Sequence, residues 1–227
     1  MKAPLRDAVR AALVAPPTAA GEVALIGALD AAIGSGDIDL APLAGAWAAT
    51  RHLSFDCPAV ATGAAWLADH GAPAPDGAFG PGLGAAVVGF GAVPALLGQR
   101  RNLVSGVYHL ARLLDPAPEG VFAAVAAAVA GAVFAEGRRD VVPDVLESLV
   151  VNGAPASLLD ALRQVPVATS APPSVDPSAV PGQLALVLWG VHRLPAARAP
   201  EAWAGLGPSA AALGRGLLAC REVSRPA

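Results

Sequence analysis

An all-helical fold, a dense multi-helix bundle, follows from three features of the 227-residue sequence. No stretch sustains the two-residue alternation of Val, Ile, Tyr and Phe that marks half-buried strands, while apolar residues recur at three- and four-residue spacing in segment after segment. Residues 119–136, EGVFAAVAAAVAGAVFAE, are apolar on every face between their acidic ends, and a helix with no polar side needs other helices all around it. Its small side chains let those neighbours approach closely.

The elements follow in order. Helices are expected over residues 5–14, 22–33 and 40–51, the third opening behind Asp39 as an N-terminal signal. The fourth, 59–70, stops at Gly71, and a fifth is expected over 83–97. Then come 102–114 and the central 119–136, stopped by Gly137. Acids at Asp140 and Asp144 open 141–151, which Gly153 ends. The last three are 156–163, 179–194 and 209–223, the final one signalled by Pro208-Ser209. Between them 166–182, PVATSAPPSVDPSAVPG, is too proline-rich for a helix and reads as an extended connector within a single domain spanning 1–227.

Composition excludes several classes of function. With a net charge of −3, one lysine (Lys2) and 4% aromatic residues, the chain lacks the basic stripe and stacking residues of a nucleic-acid binder. A mean hydropathy of +0.54 raises the membrane question. The uncharged run 77–99 is broken by Pro81 and Pro94, and 120–135 is short for a span and flanked by Glu119, Glu136, Arg138 and Arg139. Both read as buried helices, so no membrane partner is expected. Lys2, Arg6, Asp7 and Arg10 leave no apolar core for a secretion signal, and a cytoplasmic location is expected. Cys57 and Cys220 read as two packed free thiols.

The residues show no catalytic set. His52, His70, His109 and His192 stand far apart without metal-ligand spacing, and Ser105 lacks a nucleophile-elbow context. Glycines 80, 82 and 84 follow no expected strand and precede no lysine, as a dinucleotide site or a phosphate loop would require. Asp37 and Asp39 sit at a helix start and read as caps; no three acids fall within about five residues, the density a hard-metal cage needs.

Six segments, taken in order, carry a resemblance. TAAGEVAL (18–25) opens an apolar helix, and ATGAAWLADHGAP (61–73) precedes the glycine turn GPGLGAA (80–86). ARLLDPAPEG (111–120) leads into the Ala-rich helix and Gly137-Arg138-Arg139-Asp140, and QLALVLWGV (183–191) and GLGPSAAALGRGLLA (205–219) follow. In this order and at these separations they resemble the ADP-ribosylglycohydrolases, orthogonal helical bundles that hold two magnesium ions in a cleft. The departures fall on the chemistry. Ala19 and Ala20 stand at the family's first aspartate pair, Gly207 and Ser209 at the second. Pro81 replaces the asparagine of the turn, Ala86 its arginine, and Leu114-Asp115, or the pair one residue earlier, the Thr-His pair.

The resemblance therefore implies a degenerate member without catalytic residues, metal ligands or bound cofactor, magnesium being the family's. Its expected role is a binding or protein-interaction module. Glu22, Gly80, Gly82, Asp115, Gly205, Gly207 and Ser209 would line the relic cleft, where free amides near Pro208 favour an anion. A nucleotide-like small molecule, another protein or a second copy of the chain are the partners it implies. The alternative is an active hydrolase of an ADP-ribosyl or related nucleotide-linked substrate, with ligands drawn from Asp115, Glu22 or Asp176.

Overall fold

The computed structural model describes residues 2–33, 40–75, 82–97, 100–168 and 171–224. Among them the secondary structure is entirely helical: α1 (Lys2–Val14), α2 (Ala20–Ile33), α3 (Leu40–Ala48), α4 (Pro58–His70), α5 (Gly84–Phe90), α6 (Val93–Leu96), α7 (Arg100–Leu114), α8 (Pro118–Ala135), α9 (Val142–Val151), α10 (Ala156–Val167), α11 (Val180–Arg193) and α12 (Pro208–Val223). A single 3-10 turn, Ala199–Ala202, lies between the last two.

The expectation for the central helix holds. Every residue of α8 from Gly120 to Ala135 is buried, and α5, α7, α9, α11 and α12 all pack on it. By length and composition α8 is apolar enough to cross a membrane, and here it is enclosed by the bundle. Glycine sets the closeness of that packing. The Phe90 ring of α5 fills the space between Gly131 of α8 and Gly216 of α12, where an added Cβ would lie 2.6 and 2.9 Å from it. Gly63 of α4 presses on the end of α7, where a Cβ would meet the Leu114 carbonyl oxygen at 1.9 Å.

Helix α8 ends as its sequence indicates. Gly137 adopts φ +78°, its N–H donates to the Phe134 carbonyl and that of Arg138 to Val133, a Schellman arrangement. The Ser224 hydroxyl donates to the freed carbonyl of Ala135 at 2.8 Å.

Three expectations are corrected. The helix expected over 83–97 is two, α5 and α6, because Pro94 has no N–H for the Phe90 carbonyl and Gly91 and Ala92 close tighter turns onto Val88 and Gly89. The helix expected to reach residue 51 stops at Ala48; the Thr50 hydroxyl takes the Trp47 carbonyl at 2.7 Å and the chain tightens into a turn. Finally, α10 runs beyond Arg163 through Pro166 to Val167, so the extended connector is shorter than 166–182. Val165 is buried, and the carbonyls at that end are taken from outside, Pro166 by Arg193 and Ala168 by the Trp189 indole. Asp37, Asp39, Gly80 and Pro81 lie outside the described residues.

Gly63→Ala is expected to destabilise the fold by at least about 2 kcal/mol, since backbone must move, whereas Gly27→Ala, in open space inside α2, should stabilise it by about 0.5–1 kcal/mol. Ala127→Asp places an unpaired carboxylate in the core and should cost several kcal/mol or prevent folding. Urea unfolding of the three variants checks these values; equal stability of Gly63→Ala and Gly27→Ala would contradict the close approach.

Candidate functional site

Helix α2 is buried from Gly21, just behind its exposed first residue Ala20, and its leading amides find partners within the protein. Ala19 N–H donates to the Asp56 carboxylate at 2.7 Å and Gly21 N–H to the Ser54 carbonyl at 2.7 Å. The Phe55 ring covers Gly21 so closely that a Cβ would lie 2.5 Å from it. In return Glu22, on the first turn of α2, reaches the segment ahead of α4. Its carboxylate accepts Asp56 N–H at 2.9 and 3.2 Å and Cys57 N–H at 3.0 Å. Two helices thus cap each other with two acids, Asp56 serving α2 and Glu22 serving α4. Burial pushes the Glu22 carboxyl up, while the Cys57 and Asp56 amides pull it down.

Cys57 is the meeting point of three residues assigned to the relic cleft. Its amide holds Glu22, and its sulfur packs on Gly82, where a Cβ would lie 2.5 Å away. Desolvation raises the thiol pKa, and the Asp115 carboxylate lies near enough to raise it further. Asp115 bridges α7 and α8 and is fully buried. Its Oδ1 accepts the Ala117 N–H at 3.0 Å, an Asx turn that launches α8. Oδ2 has no partner, and an added Cβ on Gly120 would sit 2.2 Å from it. Burial pushes this carboxyl up to about 6, against the single Ala117 amide.

Glu22, Gly82 and Asp115 therefore come together, as parts of helix junctions. Gly205, Gly207 and Ser209 form the turn into α12, where both glycines are exposed with φ of +87° and +99° and open space around them. Helix α12 runs beside the end of α1 and the segment that leads to α2: Arg215 donates to the Ala12 and Ala15 carbonyls and to the Thr18 hydroxyl, less than two turns beyond Ser209. Asp176 is engaged locally, accepting from the Ser178 amide and hydroxyl at 2.9 and 2.7 Å. Among the described residues no three His, Cys, Asp or Glu side chains form a group able to hold a metal ion.

A recess that the sequence did not indicate lies between α7, α8 and α9. It is a groove of about 620 Å³. Its floor is Leu103, Phe122, Val125 and Val129, and Tyr108 forms a wall, edge-on to Phe122 at 5.7 Å. Ser105, His109, Glu147, Ser148 and Asn152 supply polar groups, and Val151, 78% exposed, stands at the mouth. Asp144, also in the lining, is held in a bidentate pair by Arg138. One signal was present in the sequence: Ser105, Tyr108 and His109 recur at three- and four-residue spacing on α7. The apolar floor from α8 was not separable from core.

No protein-family model and no curated protein sequence matches the chain.

Asp115 yields a pH prediction. Its folded pKa lies above the ordinary 3.8, so the folded chain holds the proton more tightly and stability falls as pH rises from about 4 through about 6. Asp115→Asn is expected to flatten that decline and to exceed the wild type at pH 7 by roughly 1–3 kcal/mol. Unfolding free energies measured across this range decide it; an unchanged slope in the variant would contradict the assignment.

Proposed function

We propose that the chain is a non-hydrolytic binding module on an ADP-ribosylglycohydrolase-like scaffold, and that it binds a nucleoside-sized aromatic molecule in the groove between α7, α8 and α9. The groove itself carries this reading: an apolar floor, an aromatic wall and a few convergent polar groups in about 620 Å³ are the make-up of a small-molecule site. Glu147 on the rim disfavours phosphate, so the preferred ligand is uncharged or cationic.

Loss of the hydrolase chemistry rests on the side chains. Ala19, Ala20 and Gly207 have no side-chain oxygen, and the carboxylate of Glu22 already accepts backbone amides from Asp56 and Cys57. Two adjacent dications need several anionic oxygens to offset their repulsion. Withdrawing Glu22 for a metal would uncap α4, and Asp176 is tied to Ser178. Of the alternative's named ligands only Asp115 keeps a buried oxygen without a partner, and one carboxylate does not offset the repulsion of two dications.

The neutral fluorophore N-phenyl-1-naphthylamine should bind with a saturable rise in emission, and adenosine should displace it. Ser148→Trp, which fills the half-buried rim, should abolish binding while leaving the melting temperature nearly unchanged. Equal binding by this variant would sink the groove assignment. Millimolar magnesium is expected to leave the melting temperature unchanged, and ADP-ribosylated protein to remain intact with it; a saturable, chelator-reversed stabilisation would restore the metal-dependent alternative.

A further inference from the structure

A second recess, of about 410 Å³, lies where α8, α11 and α12 end. Its lining includes Arg138, Arg139, Arg193, Arg221 and His192, and no Asp or Glu is among its described lining residues. The role of each cation is resolved by its partners. Arg138 is neutralised by Asp144 and flanked by Glu136 at 3.9 Å. Arg193 gives one nitrogen to the Pro166 carbonyl, and Arg139 is exposed.

Arg221 is the unusual one. A tenth of its side chain is exposed. Nη1 donates to the carbonyls of Val191 and Leu194, closing the end of α11, and Nε donates to Glu222 at 3.0 Å. Nη2 is buried with no partner. The same holds for Nδ1 of the adjoining half-buried His192. A buried guanidinium N–H without an acceptor is a standing cost, and an anionic oxygen that reached Arg221 from the recess it lines would remove it. Arg193, Asp140 and Arg221 lie within electrostatic reach of His192 and the Arg139 backbone within hydrogen-bonding reach of its ring, so one acid and two cations face it.

We propose that this recess is an oxyanion site that takes a phosphate or phosphate-monoester group. Groups arrive from three elements, Arg139 beyond α8, His192 and Arg193 on α11, and Arg221 on α12. Convergence from separate directions suits a tetrahedral oxyanion better than a planar carboxylate. With Arg138 paired to Asp144 and Arg221 to Glu222, the remaining cations of the recess are Arg139 and Arg193, with Asp140 nearby. The site is lined by different residues from the aromatic groove, although its Arg138 is paired with Asp144 in the groove lining.

The test is a titration with inorganic phosphate, followed by melting temperature and by phosphorus NMR, against acetate and chloride at matched ionic strength. Phosphate should raise the melting temperature saturably with a Kd in the millimolar range or tighter, and the phosphate resonance should broaden; acetate and chloride should do neither. Arg139→Glu, at an exposed position, should weaken phosphate at least about tenfold, which is about 1.4 kcal/mol. Ser148→Trp should leave phosphate affinity unchanged, which separates this site from the groove. A phosphomonoester such as glucose 6-phosphate should compete with inorganic phosphate. Equal stabilisation by chloride or acetate, or an unchanged Kd in Arg139→Glu, overturns the proposal.

Discussion

One constraint governs the rest of the molecule: a helix with no polar face, α8, has to be enclosed. Because it is built largely of Ala, Val and Gly, each neighbour approaches close to the backbone, and the contacts that matter are backbone against small side chain. Such packing has little slack, since interiors filled to crystal-like density accommodate an extra methyl poorly. Phe90 shows the logic from the other side. One large ring occupies the space that Gly131 and Gly216 leave, and so ties α5, α8 and α12 together.

Enclosure of many short helices leaves many buried helix ends, and there the chain places much of its sparse charge. Glu22 and Asp56 satisfy amides, whereas Arg215, Arg221 and Ser224 satisfy carbonyls at the far ends of α1, α11 and α8. A charged residue in this protein is therefore first a candidate for closing a helix end. Among the described residues, the buried side-chain atoms that remain unmet after that account are on Asp115, His192 and Arg221.

Much of the architecture was legible because it is local. The absence of strand alternation, the apolar 119–136 and the stops at Gly71, Gly137 and Gly153 each depend on residues a few positions apart. The break at Gly91 and Ala92 was also present in the sequence, through Pro94, but an apolar run masked it. The length of α10 was not legible: Pro166 argues locally for a stop, and acceptors supplied from α11 override it. The same limit applies to Glu22. Its partners lie 34 and 35 residues away, so a position that resembles the edge of a cleft carries no sign in the sequence that two amides already hold it. The groove was hidden for a related reason, because Val125 and Val129 look like any other core residue of α8.

The Arg138–Asp144 pair has a consequence that follows from its position. Arg138 faces the cationic recess and Asp144 the aromatic groove, and the two are joined side chain to side chain. Drawing the guanidinium towards an anion on one side would leave the Asp144 charge less compensated on the other, which would favour a cation and oppose an anion in the groove. Such communication would be reciprocal by thermodynamic necessity, so a cation that engaged Asp144 in the groove would in turn loosen Arg138 for its own recess. An ion pair that contributes little to folding would in that case act as a two-way balance between neighbouring recesses.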